Sequence, residues 1–202
     1  MSVKAISAPK MNIRTMVGMG ILTAIVIVLQ ALASQIKFGP FSITLVLAPI
    51  IIGAAMYGWK AGAWLGFAFG GMVLLSGDAA AFMQINAVGT VITVLTKGIL
   101  AGLAAGSVYQ LIAKKNKLAA VITAGVVCPV VNTGIFILGC YAFFLDTVRS
   151  WGAASNYSNA TAYIFLGMIG VNFLVELGIN LALSTVIVRI LNQVQKPNTA
   201  AV

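Results

Sequence analysis

Residues 58–71 form the apolar stretch GWKAGAWLGFAFGG, in which glycine recurs at every fourth position: Gly58, Gly62, Gly66 and Gly70. On an α-helix this spacing places the glycines on one face. Residues 97–106, KGILAGLAAG, repeat the spacing with Gly98, Gly102 and Gly106. In lipid, small-residue stripes let helix backbones approach closely and gain dispersion contacts. We therefore predict that the two stripes pack two membrane helices together, in preference to a role with a partner.

The composition of the whole chain is that of an integral membrane protein. Of its 202 residues, 61% are hydrophobic and 7% are charged, whereas a soluble domain carries about 25% charged residues. Apolar runs of about 20 residues, the length that crosses the bilayer core as a helix, recur along the chain. The sequence predicts an all-α, six-transmembrane-helix bundle with helices at 12–36, 41–57, 59–77, 84–113, 118–144 and 161–191.

The basic residues orient this bundle. If six helices alternate in direction, one side receives most of the positive charges: Lys4, Lys10, Arg14, Lys60, Lys114, Lys115, Lys117, Arg189 and Lys196. The other side receives Lys37, Arg149, Asp78 and Asp146. Because Lys and Arg are enriched in cytoplasmic loops, we expect both termini to be cytoplasmic. The net charge of +9 is then a topology signal, and nucleic acid is not an expected partner.

This topology divides the chain into three parts. Residues 1–11 form a cytoplasmic tail, 12–191 the transmembrane domain, and 192–202 a second cytoplasmic tail. The stretch ALAS at 31–34 resembles a signal-peptide cleavage site. The apolar run before it, from Met16, has about 18 residues and is longer than the usual core of about 7–15. We therefore expect this segment to stay as the first helix.

The residue inventory argues against catalysis. There is no histidine, the commonest general base and metal ligand. Cys128 and Cys140 share one predicted helix about 18 Å apart along its axis, so they cannot form a disulfide, and two thiols alone make no zinc site. The three acids, Asp78, Asp146 and Glu176, are scattered. We expect no enzyme, no metal and no cofactor.

Polar residues nevertheless interrupt the apolar runs. In GVNFLVELGIN, residues 170–180, Asn172, Glu176 and Asn180 follow one another at one-turn spacing. Lys97 and Glu176 are predicted at similar depths, about 20 Å from one end of the bundle. A lone charge at the membrane centre costs at least ~2.5–3.5 kcal/mol, so opposite charges at one depth offset each other. The pair is either structural or turned toward a polar ligand, and Asn180 is expected to serve packing.

Three stretches together resemble a known family: KFGPFSITLVLAPIIIGAAMYGWKAGAWLGFAFG at 37–70, TKGILAGLAAG at 96–106 and VNFLVELGIN at 171–180. Their order and spacing are similar to those of substrate-binding (S) components of energy-coupling factor (ECF) transporters, in the broad riboflavin, folate and pantothenate group. The resemblance implies a multi-pass protein of the bacterial cell membrane whose transmembrane domain binds a vitamin outside the cell. A transmembrane coupling protein and two ATPase subunits would then drive its import.

The resemblance also assigns residues. The family's pocket draws on helices four to six and on the outer loops, which implies a set of substrate-binding residues here: Asn86, Lys97, Asn132, Asn172 and Glu176. The family docks on its coupling protein through an Ala-x-x-x-Ala face of the first helix. This chain matches with Gly20 and Ala24, a glycine standing in place of the first alanine.

Two functions therefore stand as hypotheses. The first is an S component for pantothenate, with folate, lipoate and riboflavin as further candidates, because a cation, an anion and amides suit a carboxylate vitamin with hydroxyl or amide groups. The second is a small proton-coupled exporter that uses Glu176 as its proton carrier. Energy dependence discriminates them, since only the S component needs ATP and partner subunits.

Overall fold

The computed structural model describes residues 12–35, 37–38, 41–42 and 46–194. Nearly all of these are helical: α1 Ile13–Ala33, α2 Leu47–Tyr57, α3 Trp59–Leu75, α4 Ala80–Met83, α5 Ala87–Ala113, α6 Lys117–Phe143, α7 Leu145–Ala154, α8 Ala160–Ala162 and α9 Gly170–Val194. A π-helical segment, Tyr163–Ile169, joins α8 to α9. Two short antiparallel strands, β1 Lys37–Phe38 and β2 Phe41–Ser42, pair Lys37 with Ser42. The all-α prediction is confirmed.

Several predicted boundaries are wrong. The second helix was expected from residue 41, but α2 begins at Leu47, and residues 41–42 belong to the hairpin. The dipeptide Gly39-Pro40 is a strong turn signal, but the apolar run that follows it from residue 41 led to a prediction of helix there. The first helix ends at Ala33 instead of residue 36, and the third ends at Leu75 instead of residue 77. The last helix runs to Val194, past the expected start of the tail at residue 192.

Within the described residues, four helical stretches are long and apolar enough to cross a membrane: Ile13–Ala33, Ala87–Ala113, Lys117–Phe143 and Ala160–Gln193. The apolar helices α2 and α3 are shorter, with 11 and 17 residues. At a rise of about 1.5 Å per residue, α2 covers roughly half of the ~30 Å hydrocarbon core. Six spans with cytoplasmic termini stay a prediction, and the tails at 1–11 and 195–202 lie outside the described residues.

The two glycine stripes meet in the bundle. α3 and α5 run antiparallel, and a Cβ added to Gly66 would collide with the backbone oxygen of Gly98, as one added to Gly62 would with that of Gly102. The backbones therefore approach as closely as they do because neither stripe carries side chains. The predicted packing of these two helices is confirmed.

Gly58 differs from the rest of its stripe. It separates α2 from α3 with a φ of 93°, in the left-handed region that glycine adopts without strain. A Cβ there would also lie 2.8 Å from Nε2 of Gln110 on α5. This residue makes the turn that lets two short apolar helices follow each other directly.

Asparagine begins several of the helices. The side chains of Asn86 and Asn116 accept hydrogen bonds from the backbone N–H groups of Gly89 at 2.8 Å and Ala119 at 3.0 Å. Asn159 accepts from the N–H of Ala162 at 2.8 Å. Such caps satisfy backbone donors that have no partner inside the helix. They fix the starts of α5, α6 and α8, and with them the register of the residues that follow.

Candidate functional site

The helices α5, α6 and α9 surround a small polar cavity of about 70 Å³. Its polar lining consists of Asp78, Lys97, Asn132, Thr133, Asn172 and Glu176. The apolar part of the wall comes from Phe136 and Phe173 and from Met168 and Ile169 of the π-helical segment. π-helical turns within helices occur frequently at functional sites.

Four of the five predicted substrate-binding residues line this one cavity: Lys97, Asn132, Asn172 and Glu176. Asn86 is not part of the lining. Its side chain caps α5, and its backbone oxygen accepts a hydrogen bond from the Thr90 hydroxyl at 2.8 Å. Asn86 is therefore the N-terminal cap of α5. Its position directly before an apolar run is typical of such a cap.

Glu176 is buried, with 2% of its surface exposed. Asn172, one turn earlier on α9, donates a hydrogen bond from Nδ2 to Oε1 of Glu176 at 3.5 Å. Asn180, one turn later, is also buried and lies against Gly125 of α6, outside the cavity lining. The polar stripe therefore has two parts: Asn172 and Glu176 face the cavity, and Asn180 packs against α6 as expected.

Lys97 brings the positive charge to the cavity. Its Nζ lies 5.5 Å from the ring centroid of Phe136 and 5.7 Å from that of Phe69, within the range of cation–π attraction. The carboxylates of Glu176 and Asp78 also attract it electrostatically. Lys97 and Glu176 therefore lie at the same cavity, as predicted, and aromatic rings lie beside the lysine ammonium.

Asp78 is the site residue that the sequence reasoning missed. It lies between α3 and α4, after Gly77 with its φ of 77°, and it lines the cavity. Nε2 of Gln30, which is 1% exposed on α1, donates a hydrogen bond to Oδ2 of Asp78 at 2.8 Å. The sequence offers one signal for Asp78, an acid in the loop after the third predicted helix, and by itself this places the residue only on the side of the bundle with few basic residues. The cavity consequently holds one cation and two acids.

Several oxygens around this region have no hydrogen-bond partner. In the described part of the chain, four buried side-chain oxygens are unpaired: Oε1 of Gln30, Oγ1 of Thr93, and Oδ1 of Asn132 and of Asn172. Leaving a buried polar group unpaired costs about 1–3 kcal/mol. The two asparagine oxygens belong to cavity-lining residues, so a bound molecule with N–H or O–H groups could supply the missing donors.

The two residues predicted for docking lie elsewhere. Gly20 and Ala24 are exposed on α1 and line a groove of about 860 Å³ between α1 and α3. Nothing lies within 4 Å of the position of a Cβ on Gly20. Across the groove, Nε1 of Trp64 donates a hydrogen bond to Oγ1 of Thr23 at 3.2 Å. This surface is open and is separate from the polar cavity.

A protein-family model described as "ECF transporter, substrate-specific component" matches residues 14–188. The chain belongs to this family. No curated protein and no solved structure matches the chain. The S component is therefore a membrane-embedded, substrate-binding module of vitamin uptake, and members of the family are transporter subunits that work with a coupling protein and ATPases.

Proposed function

We propose that this S component binds a water-soluble vitamin on the outside of a bacterial cell, between Lys97, Asn132, Asn172 and Glu176. A coupling protein and two ATPase subunits then drive import. Pantothenate is the first candidate because of the family likeness, and folate, lipoate and riboflavin follow. In this proposal Lys97 attracts an anionic or polar group, and the asparagine amides orient hydroxyl or amide groups.

The unpaired oxygens of Asn132 and Asn172 carry this proposal. Both belong to residues that line the cavity, beside a lysine and two acids. A purely structural site would gain by pairing them internally. Unpaired oxygens in the cavity wall are instead suited to a ligand that brings its own donors.

The size of the cavity implies movement. Sites for small molecules usually enclose about 300–1,000 Å³, whereas this cavity has about 70 Å³. Vitamin binding must therefore separate the side chains around it. The π-helical segment supplies Met168 and Ile169 to the wall, and its irregular hydrogen bonding makes it the part of the wall best suited to shift.

Gly20 and Ala24 supply the second part of the proposal. We place the coupling protein against the groove that they line, because small exposed residues let a partner helix approach closely in lipid. The groove carries apolar groups and the Trp64 ring, and it lies on a different face from the cavity. Vitamin binding and partner docking would then use separate surfaces of one bundle.

Uptake of labelled vitamin tests the proposed function. The full chain is reconstituted into liposomes alone, with a proton gradient, or together with the coupling protein, the ATPases and internal or external ATP. We expect labelled vitamin to accumulate only when all subunits are present and ATP is on the side of the membrane that carries the ATPase subunits. Transport by the chain alone, driven by the proton gradient, would support the exporter hypothesis and refute the S-component mechanism.

A further inference from the structure

A second cavity adjoins the first. Its volume is about 50 Å³, and Asp78, Lys97 and Phe136 line both cavities. The rest of its wall includes Thr90 and Thr93 from α5. Each cavity alone is too small for a vitamin. The shared residues show that the two spaces meet along a common wall.

Aromatic rings dominate the second cavity. Phe82 lies 4.9 Å from Phe144 and 5.8 Å from Phe136 between ring centroids, in edge-to-face arrangements. All three rings belong to the lining. Phe136 therefore packs against the aromatic cluster on one side and lies beside the ammonium of Lys97 on the other side. This side chain is the junction between the polar space and the aromatic space.

The hydroxyl groups of Thr90 and Thr93 add polar atoms to the wall of the second cavity. Thr93 is 4% exposed, and its Oγ1 has no hydrogen-bond partner. Thr90 donates its hydroxyl proton to the backbone oxygen of Asn86 at 2.8 Å, so its oxygen remains able to accept. Both cavities thus present polar groups without a partner: the Thr93 hydroxyl, which can donate or accept, in one, and the amide oxygens of Asn132 and Asn172, which accept, in the other.

We propose that these cavities are two compartments of one substrate site, which join when Phe136 moves, and that the site selects an amphiphilic ligand rich in hydrogen-bond donors. The inference rests on the proposed function and specifies its substrate class. One part of the ligand carries O–H or N–H groups to Asn132 and Asn172. An apolar part lies among Phe82, Phe136 and Phe144, and a further polar group of the ligand exchanges a hydrogen bond with the Thr93 hydroxyl.

This chemistry ranks the candidate vitamins. Pantothenate has an amide N–H and two hydroxyls around a branched apolar centre, and riboflavin has a hydroxylated chain on a flat ring. Both offer donors to two compartments. Lipoate has a carboxylate and an apolar disulfide ring but no hydroxyl or N–H group. Lipoate should therefore bind weakly or not at all.

The test measures the affinity of the detergent-purified full chain for pantothenate, folate, riboflavin and lipoate by calorimetry. The vitamin that binds wild type best is then measured with Thr93→Val, Thr93→Ser and Asn132→Ala. Thr96→Val is the matched control, because Thr96 lies on the same helix and lines neither cavity. Thr93→Val and Asn132→Ala should each weaken binding about twofold to tenfold, the effect of one lost hydrogen bond. Thr93→Ser and Thr96→Val should bind as wild type does.

The melting temperature of the ligand-free protein separates contact from structure. Thr93→Val removes an unpaired buried hydroxyl, so its melting temperature should stay level or rise while its affinity falls. Unchanged affinity of Thr93→Val, with weaker binding by Asn132→Ala, would overturn the second compartment and leave vitamin capture standing. Preferred binding of lipoate would overturn the donor-rich ligand class. If wild type binds none of the four vitamins, the proposed function and this inference both fail.

Discussion

At the residue scale, the electrostatics of the cavity depend on three charged side chains. Lys97 is the cation, and Glu176 and Asp78 are the acids that attract it. Asn172 donates to Glu176 and Gln30 donates to Asp78, so each acid has a hydrogen-bond donor of its own. Two acids therefore share the electrostatic attraction to one lysine. The Lys97 ammonium can contact a ligand while the two acids keep their hydrogen bonds from Asn172 and Gln30.

A double-mutant cycle on Lys97 and Glu176 separates structural pairing from ligand contact. Each single change, Lys97→Met or Glu176→Gln, removes one partner of a buried charge and should lower stability. The loss should be smaller than the ~3–5 kcal/mol of a wholly uncompensated buried charge, because Asp78 still attracts Lys97 and Asn172 still donates to Glu176. The double variant should recover most of the melting temperature but still bind vitamin poorly, because charge-assisted hydrogen bonds to the ligand are lost. Asp78 also attracts Lys97, but both proteins that carry Lys97→Met lose this attraction, so it cancels from the coupling energy. Full recovery of affinity in the double variant would assign the pair to architecture alone.

The predictability of these residues follows from their surroundings. Asn172 and Glu176 stand out because polar groups inside an apolar run are costly and therefore conspicuous. Asp78 does not stand out, since an acid after a glycine in a loop is ordinary, and only the folded chain shows that Gln30 holds it at the cavity. Asn86 is hard to assign from sequence for the opposite reason: a polar residue at the edge of an apolar run more often caps a helix than contacts a ligand, and here its side chain caps α5.

At the element scale, the packing of α3 against α5 holds the cavity wall in place. The same helix that carries Gly98 also carries Lys97, and the ring of Phe69 on α3 lies beside the Lys97 ammonium. Glycine spacing alone was sufficient to predict this contact, because a repeat of four leaves little choice of face. The start of α2 was not predictable in this way, since its apolar pattern continues upstream through the hairpin residues.

Adding one methyl group at the α3–α5 contact should damage the fold. Gly66→Ala places a Cβ against the backbone oxygen of Gly98, and such overpacking costs about 1–3 kcal/mol. Gly71→Ala is the matched control on the same helix, because nothing lies within 4 Å of its Cβ position. We expect a lower melting temperature for Gly66→Ala and an equal or higher one for Gly71→Ala, since alanine favours helix. Equal melting temperatures would refute the close contact.

The exposed face of α1 should respond differently. Gly20→Trp adds bulk to the groove but lies away from the cavity, so the isolated protein should bind vitamin as before. Assembly with the coupling protein and uptake should collapse, because the bulk holds the partner helix away. Ile25→Trp is the control, since Ile25 is exposed on α1 outside the groove. Loss of vitamin binding with assembly preserved would contradict the assigned docking face.

At the scale of the whole molecule, the arrangement separates two tasks. The cavities lie among α5, α6, α9 and the segment around α4, whereas the groove lies along α1 and α3. The hydrogen bond from Gln30 to Asp78 is a direct link from α1 to the cavity region. Under the proposed function, such a bundle could bind a different substrate after a few changes of polar residues in the cavity and keep the same partner surface.

The predicted topology is testable with reporters. A reporter fused after Lys117, at the start of α6, should report the cytoplasm, and one inserted at Ser155, after α7, should report the outside. The basic residues at the α5–α6 connection are the physical reason, since such clusters are retained on the cytoplasmic side. The same location for both reporters would rule out the six-span arrangement.

The most direct test of the account is mass spectrometry of the small molecule that co-purifies with the protein. The account predicts that wild type and Thr96→Val carry one vitamin, with donor groups and an apolar part, and that Asn132→Ala and Asn172→Ala carry less of it under the same conditions. The protein stripped and reloaded with that vitamin should show the same order. Equal occupancy in all four proteins, or a bound molecule that is not a vitamin, would contradict the claim that this cavity captures the substrate.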